Sequence, residues 1–279
     1  MNQVVDLYSI GNSTSRQNAK DRWNNGNVHI VGSTKTGKTQ PPDTIDDRVI
    51  INVNATIASA KGTQTHCALR TGTWDSNTTL EIEIGTSGKL FGSGGDGGTG
   101  GSANETPGTD GQTGSSALGI QYPCTINNLG VIQSGYGGGG GGGGNTRTTG
   151  GGKKGGATTN GSSGGGGGGG AGLPAGSAGG VSTPLSQGGG SAGSAGQAGS
   201  LSGQATGGAG GSEAGAGGNS SPVNNSATKA DNGATASGAA SPGTGGNNGY
   251  AIITNQGSAP SLSGGGTLTG RTITSTNPT

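Results

Sequence analysis

Apolar and polar residues alternate strictly in two stretches of the first third of the chain. In residues 48–59 the apolar positions of this repeat are Val49, Ile51, Val53 and, after a shift, Ile57. In residues 78–85 they are Leu80, Ile82 and Ile84. A repeat of two is typical of a strand with one buried face. Both stretches are therefore predicted to be strands, joined by a turn in the Gly/Asp/Ser/Asn-rich residues 70–79.

The composition changes sharply along the chain and divides it into four parts. Residues 1–47 are polar and irregular, and residues 48–134 carry the strand patterns before sliding into glycine. Residues 135–249 are dominated by Gly, Ser, Ala, Thr and Asn, and residues 250–279 recover strand character. No stretch shows a convincing helical period. The predicted fold is mostly β at the N-terminal side, then glycine-rich, with essentially no α-helix.

An internal echo links the strands to the glycine tracts. Ile84 is followed by a glycine four positions later, then by Leu90 and a glycine-rich stretch. Ile126 is likewise followed by a glycine four positions later, then by Ile132 and a glycine-rich stretch. A weaker third copy begins at Ile253. A repeated strand that leads into glycines suggests one architectural unit used more than once.

The overall composition excludes an ordinary side-chain core for most of the chain. Of 279 residues 71 are Gly, hydrophobic residues make up 25% and aromatics 3%. Globular domains are about 45–50% apolar. The formal net charge of +1 argues against nucleic acid or an acidic membrane surface as a partner. No apolar run resembles a signal peptide or a membrane span.

Residues 32–39, GSTKTGKT, match the phosphate-binding loop pattern G-x-x-x-x-G-K-[ST]. A working loop of this kind needs a helix that opens at its Lys-Thr and presents backbone N–H groups to the phosphates. Pro41 and Pro42 follow instead, and the next periodic segment is a strand. The match is interpreted as a chance one, and no cofactor is predicted.

The glycine tract has two interpretations. Gly137–Gly144 and Gly164–Gly170 are uninterrupted glycine runs, and Gly/Ser-rich sequence is by default a flexible coil. The alternative is a bundle of polyglycine II helices, the extended three-residue-per-turn form, packed closely because no Cβ intervenes. Recurring runs with short polar or Pro-bearing interruptions, and strands on both sides, favour the bundle.

Catalytic and metal chemistry find no support in the sequence. His29, His66 and Cys67 lack the spacing of a metal site. Glu81 and Glu83 are predicted to lie on a solvated strand face, and Asp96 in GGDGG is expected to make a turn hydrogen bond. Cys67 and Cys124 set no disulfide framework, although one bridge between them stays open.

The residues from Leu90 to Gly144 resemble the glycine-rich region of bacteriophage tail-tip adhesins. The matching features are KLFGSGGDGGTGG, the SSALGI segment, INNLGVI and the following poly-Gly run. The TGTW hairpin from residue 71, and NGYAIITNQG with GGTLTGRTI, also resemble parts of lambda-like central tail fibres. The receptor-recognition protein at the tip of T-even-type long tail fibres is the other similar group. The resemblance covers about residues 48–279, and residues 1–47 depart from both groups.

The resemblance implies a non-enzymatic virion protein at the tail tip. The glycine region would be a rigid block whose loops bind a bacterial surface receptor, either an outer-membrane protein, a pilus or a glycan. The N-terminal part, with residues 1–47 as an attachment segment, would dock onto a tail fibre or baseplate protein, as a monomer or a homotrimer. Trp23 and Trp74 are expected in the core or at that docking surface.

Side chains that interrupt the glycine runs are the candidate receptor contacts, because a glycine lattice offers no others. Cations could meet acidic or phosphate-bearing groups, and exposed apolar residues suggest contact sites. The predicted set is Arg147, Lys153, Lys154, Leu173, Pro174, Val181, Leu185, Leu201 and Val223. The alternative is that they pack over the lattice or form solvated turns. The alternative function is a structural glycine-rich component that binds no receptor.

Overall fold

The computed structural model describes residues 2–6, 16–24, 29–30, 48–76, 78–102, 106–143, 145–149, 158–162, 164, 166–180, 241–255, 260–274 and 278. The first strands along the chain are β1 Asn2–Asp6, β2 Gln17–Asn18, β3 His29–Ile30, β4 Arg48–Val53, β5 Thr56–Ala58, β6 Cys67–Arg70, β7 Thr79–Ile84, β8 Lys89–Phe91 and β9 Ser116–Ile120. They are followed by β10 Cys124–Asn128, β11 Val131–Gln133, β12 Asn145–Thr149, β13 Thr158–Ser162, β14 Tyr250–Thr254, β15 Ser261–Ser263, β16 Thr267–Thr269 and β17 Arg271–Thr274. The helix α1 is Ala19–Asn24.

Twelve of these strands coil into a three-sided parallel solenoid. Its four turns, called rungs, are β4-β5-β6, β7-β8-β9, β10-β11-β14 and β15-β16-β17. The first strands of successive rungs pair in one sheet, the second strands in another and the third strands in a third. All of these pairings are parallel. The prediction of a mostly β protein with essentially no helix is confirmed for the described residues.

The residues on the period-two repeat face the interior of the solenoid. Ile51 pairs with Ile82, and Ile82 pairs with Ile126, across three successive rungs. All three side chains are fully buried. Burying one such side chain stabilises the fold by roughly 1.5–3 kcal/mol. A column of matched isoleucines therefore holds the rungs in register. The strand prediction for residues 78–85 is confirmed, whereas residues 48–59 form two strands, β4 and β5, in different sheets, and β6 lies between them and the 70–79 turn.

The echo marks neighbouring rungs, but its register is shifted in the structure. Leu90 pairs with Ile132 as the echo predicts. Ile84, however, pairs with Asn128 and not with Ile126. The reason is that the turn between first and second strands spans residues 85–88 in the second rung and only 129–130 in the third. The third copy is misplaced, since Ile253 lies in a third-position strand and the fourth rung begins at β15.

The described N-terminal residues cover the first rung. β1 pairs with β4, β3 pairs with β1, and β2 pairs with β6. α1 follows β2 and contributes Ala19 and Trp23 to the core cluster. The ring of Trp23 meets that of Trp74 edge-on, with centroids 5.7 Å apart, and Lys20 Nζ lies 4.3 and 4.5 Å from the two centroids. A helix and strands this short leave no periodic pattern, and the prediction that residues 1–47 are irregular is wrong for β1, β2, α1 and β3.

The glycine-rich region is inserted at one corner of the solenoid in two successive rungs. The chain leaves the second rung after β8 and returns at β9, and it leaves the third rung after β11 and returns at β14. The glycine region therefore starts and ends at the corner between the second and third strands of a rung. The solenoid thereby fixes the position of the glycine region.

The phosphate-loop match and the question of a membrane span can each be compared with the described residues. Residues 32–39, the phosphate-loop match, lie outside them, so the chance interpretation stays a prediction. Within the described part of the chain, no helix is long and apolar enough to cross a membrane.

The solenoid core predicts a contrast between two isoleucines on neighbouring strands. Ile82 is fully buried, whereas Ile50 lies on the outer face of β4 and is half-buried. We expect Ile82→Ala to lower the free energy of unfolding by about 2–5 kcal/mol, because it leaves a cavity in the core. Ile50→Ala should cost less than half as much. Denaturant unfolding of both variants measures the difference, and equal losses would contradict this assignment of faces.

Candidate functional site

Six extended passes of the glycine-rich region lie in the described residues. They are pass A (92–102), pass B (106–115), pass C (134–143), pass D (164 and 166–171), pass E (174–180) and pass F (241–249). Passes A, C and E run away from the solenoid, and passes B, D and F run back. The root end is the end next to the solenoid, and the far end is the opposite one.

Backbone hydrogen bonds join the passes at every third residue. In pass A, one series of N–H groups donates to carbonyls of pass C: Gly95, Gly98 and Gly101. Gly92, at the start of the same series, donates to Gln133, the last residue of β11. A second series donates to pass E: Gly94, Gly97 and Gly100. The N···O distances are 2.7–3.0 Å. The same step of three relates pass B to passes A and F, and pass F to pass C. Each pass therefore presents the same face once every three residues.

The bonding partners place the described passes in two layers of three. Pass A is bonded to passes B, C, D and E, and pass C to passes A, B, D and F. One layer therefore has the order E–A–B and the other D–C–F. Passes A and B belong to the second rung, and passes C and F to the third. The stacking of the rungs thus continues into the stacking of the layers.

Glycine is required where a pass lies inside this arrangement. A Cβ on Gly138 would lie 2.1 Å from the carbonyl oxygen of Asp96, and one on Gly98 would lie 2.0 Å from that of Thr109. Passes B, E and F each end a layer, and there the close approaches recur at every third position: Gly108, Gly111, Gly114, Gly176, Gly179, Gly243, Gly246 and Gly249. The positions between can carry side chains, which are exposed at Thr109, Ser177 and Thr244. Pass D also ends a layer, but it contacts passes A, C and E, and close approaches occur at Gly166, Gly167, Gly169 and Gly170.

The carboxylate of Asp96 ties the root end to the solenoid. Asp96 Oδ1 accepts hydrogen bonds from Lys61 Nζ, in the loop between β5 and β6, and from the Ser177 N–H at 2.6 Å. Burial raises the pKa of the Asp96 carboxyl, but these bonds outweigh it and hold the pKa below its usual value. The expected turn hydrogen bond is thus replaced by bonds to distant residues. Lys61 carried no sequence signal for this role.

A second tie comes from the same loop. Gln64 Nε2 donates to the carbonyl oxygen of Asn248, and Asn248 Oδ1 accepts the Gly137 N–H at 2.8 Å. Ser116 Oγ donates to the Gln64 carbonyl and accepts the Tyr250 N–H at 2.8 Å. The first rung, which has no glycine insertion of its own, therefore fixes the root of passes that leave the second and third rungs.

The far end carries polar side chains and a hairpin. Ser102, the last described residue of pass A, and Thr106, the first of pass B, share a hydroxyl hydrogen bond of 2.7 Å. Pass C ends at residue 143, and β12 and β13 lie between it and pass D. These two strands pair antiparallel, with Arg147 opposite Asn160. The hairpin thus begins and ends at the far end of the passes.

The predicted receptor contacts fall in three places. Arg147 lies in β12, on the far-end hairpin. Leu173 and Pro174 lie at the root end: the Leu173 N–H donates to Gly92 at 3.0 Å, and the Pro174 carbonyl accepts from Gly94 at 2.9 Å. The remaining candidates lie outside the described residues: Lys153, Lys154, Val181, Leu185, Leu201 and Val223. The described structure thus places Arg147 and the Leu173–Pro174 pair at opposite ends.

The residues considered for other chemistry have ordinary structural surroundings. Glu81 is paired with Arg48, whose Nε donates to Glu81 Oε1 at 2.7 Å, and Glu83 is exposed. Cys67 and Cys124 are free thiols, and burial raises the pKa of each to about 12. Among the described residues, no three His, Cys, Asp or Glu side chains are grouped so that they could hold a metal ion.

Comparison with known proteins gives one match. The model of the family described as phage tail fibre adhesin Gp38 matches residues 18–273 of the 279. The match extends through the solenoid and all six glycine passes. No curated protein and no solved structure matches the chain.

The lattice predicts opposite outcomes for two glycine-to-alanine changes. At Gly138 the new Cβ would collide with backbone, whereas at Gly180 its nearest neighbour would be Thr99 Cγ2 at 3.9 Å. We expect Gly138→Ala to lower the free energy of unfolding by about 1–3 kcal/mol, as overpacking does. Gly180→Ala should change it by less than about 0.5 kcal/mol. Thermal and denaturant unfolding measure both, and a Gly138→Ala variant as stable as Gly180→Ala would refute close packing at that position.

Proposed function

Because the chain belongs to the family of phage tail fibre adhesins, we propose that it recognises its host through the far end of the glycine passes. Membership of this family places the protein at the virion tail, where it binds a host receptor and tail components. An adhesin family also suggests a structural rather than a catalytic role. The proposal adds which part of the molecule does each task.

The glycine passes are proposed to be polyglycine II helices. Three residues per turn is the period of this helix, and it agrees with the step of three in the hydrogen bonds between passes. Such a helix has no internal hydrogen bonds, so its N–H and C=O groups are free to bond with neighbouring passes. A block built this way needs few apolar side chains and would hold its far-end segments on a rigid support.

The difference between the root end and the far end of the glycine passes supports the proposed receptor site. The root end is occupied by the solenoid and by the loop that holds Lys61 and Gln64. The far end carries Ser102, Thr106 and the β12–β13 hairpin, which lie at the opposite end of the passes from the solenoid. Arg147 is therefore the favoured contact among the described candidates. Leu173 and Pro174 lie at the root end, so the proposal places them away from the receptor. The candidates outside the described residues stay predictions.

The solenoid is proposed to face the virion. It receives the N-terminal residues through β1, β2 and α1, in keeping with attachment of the N-terminal part to a tail fibre or baseplate protein. The receptor is an outer-membrane protein, a pilus or a glycan. Binding to cells stripped of surface protein, compared with cells lacking surface glycan, separates these classes. Light scattering of the purified chain decides between a monomer and a homotrimer.

The proposed site is tested by binding of the purified protein to host cells. We expect Arg147→Ala to weaken binding about tenfold, since a central arginine at an interface commonly contributes 1–2 kcal/mol or more. The matched control is Lys89→Ala, which removes an exposed cation from β8 in the solenoid. Leu173→Ala, at the root end, should leave binding unchanged once its folding is verified.

Two results would redirect the proposal. If Leu173→Ala weakened binding as much as Arg147→Ala in a folded protein, the receptor site would extend to the root end. If the unaltered protein bound no host cell, the chain would be a structural glycine-rich component of the tail tip.

A further inference from the structure

One side of the solenoid carries a cleft that none of the described glycine passes lines. It lies on the outer face of the sheet of first strands, where β7, β10 and β15 run side by side. Its volume is about 460 Å³, and small-molecule sites commonly measure roughly 300–1,000 Å³. The outward-facing residues that line it are Glu81, Glu83, Thr125, Asn127, Ser263 and Gly264.

The polar side chains of the cleft stand in register on neighbouring strands. Glu83 pairs with Asn127, and Asn127 pairs with Ser263. Glu81 pairs with Thr125 in the next row of the same face. Neighbouring strands lie about 4.8 Å apart, so the rungs space these side chains evenly across the sheet. Because the isoleucine column packs on the inner face of the same strands, the apolar core holds that spacing.

Three of these side chains are available to a ligand. Glu83, Thr125 and Asn127 are exposed, and their side chains make no hydrogen bond to another described residue. The first rung differs, because Asn52, which pairs with Glu83, accepts a hydrogen bond from Asn54 at 2.8 Å. A carboxylate only accepts hydrogen bonds, whereas an amide and a hydroxyl both donate and accept. A ligand that satisfies all three must therefore offer several donors and acceptors close together.

The charge and the lining of the cleft narrow the class of ligand. Arg48 Nε donates to Glu81 Oε1 at 2.7 Å, so Glu81 is neutralised and Glu83 leaves one negative charge that disfavours an anion. In the described part of the chain, no three His, Cys, Asp or Glu side chains are grouped to hold a metal ion. None of the exposed lining residues is apolar or aromatic, as an anchor for a protein segment would be. An uncharged compound with many hydroxyl groups meets all of these conditions.

Gly264 keeps one end of the cleft open. It follows β15 and has a φ of +94°, in the left-handed region that glycine favours. A Cβ at this position would lie 2.9 Å from Asn127 Oδ1. A side chain there would crowd the amide of Asn127, and glycine leaves that amide accessible.

We propose that this cleft binds a neutral saccharide of the host cell surface. The Glu83 carboxylate accepts hydrogen bonds from sugar hydroxyls, and the Asn127 amide and the Thr125 hydroxyl donate to them and accept from them. Since a sugar ring carries hydroxyls on neighbouring carbons, one ring can bond to side chains of two adjacent rungs. The cleft is thus a second contact with the host, on the solenoid. It is independent of the receptor site proposed at the far end.

Polysaccharide released from host cells by mild acid is the probe that tests this proposal. It is separated by anion exchange into a neutral and an anionic fraction, and each fraction is titrated into the isotope-labelled full chain. NMR spectra record the side-chain amide signal of Asn127. We expect the neutral fraction to shift that signal in a saturable way. The anionic fraction at the same sugar concentration should leave it unchanged.

Two exposed threonines on neighbouring strands give a matched pair of variants. Thr125→Val removes a hydroxyl from the cleft, and Thr79→Val removes one from β7 outside the cleft. Thr125→Val should weaken binding about threefold, as expected for one ordinary hydrogen bond, and Thr79→Val should leave it unchanged. Asn127→Ala removes an amide that makes several hydrogen bonds and should weaken binding at least about tenfold. The backbone amide signal of Glu83 follows binding in that variant.

The neutral saccharide should bind Arg147→Ala as it binds the unaltered protein, whether or not the far end proves to be the receptor site. Four results would overturn the inference. One is no saturable shift with the neutral fraction, and another is an equal effect of Thr125→Val and Thr79→Val, which would make the cleft a solvated face. A third is loss of binding when a chelator is added, which would assign the cleft to a cation. The fourth is loss of binding in Arg147→Ala but not in Thr125→Val, which would move the saccharide to the far end.

Discussion

The structure depends on hydrogen bonds between backbones that lie too close together for a side chain. A Cβ on Gly138 would collide with the carbonyl oxygen of Asp96. The two backbones can therefore lie this close only because residue 138 is glycine. Ordering glycine costs more backbone entropy than ordering any other residue. In the described passes this cost is offset by bonds in two directions at every third residue, repeated over two layers. Hence a chain with 25% hydrophobic residues forms an extended packed region.

The solenoid determines which glycine passes become neighbours. Extended glycine chains have no side-chain contacts that specify which neighbour to join. The rungs supply that information, because the isoleucine column from Ile51 to Ile126 sets the register of the strands from which the passes leave. Lys61 then reaches from the first rung to Asp96 in pass A. An ordinary apolar core therefore positions a backbone core, and the glycine passes in turn place the far-end hairpin at the end opposite the solenoid.

The sequence predicts the solenoid strands better than their connections. Leu80, Ile82 and Ile84 show a period of two because one face of β7 is buried. The echo finds the repeated unit, but its register fails at Asn128, because turn length varies between rungs and local pattern does not record pairing. The two ends of the passes cannot be distinguished in the sequence. Leu173 and Arg147 both interrupt glycine runs, and only the hydrogen bond from the Leu173 N–H to the Gly92 carbonyl reveals that Leu173 lies at the root end. The ion pair between Lys61 and Asp96 joins segments that share no motif, so it could be identified only from the structure.

Backbone hydrogen bonds hold the glycine passes as firmly as they hold the strands. Native-state hydrogen exchange measures this directly, because it reports the opening of each N–H group. We expect the amides of Gly95 and Gly98, which donate to pass C, to exchange as slowly as that of Ile82 in the solenoid core. Exchange of the glycine amides at the rate of an unstructured peptide, beside a protected Ile82, would contradict it.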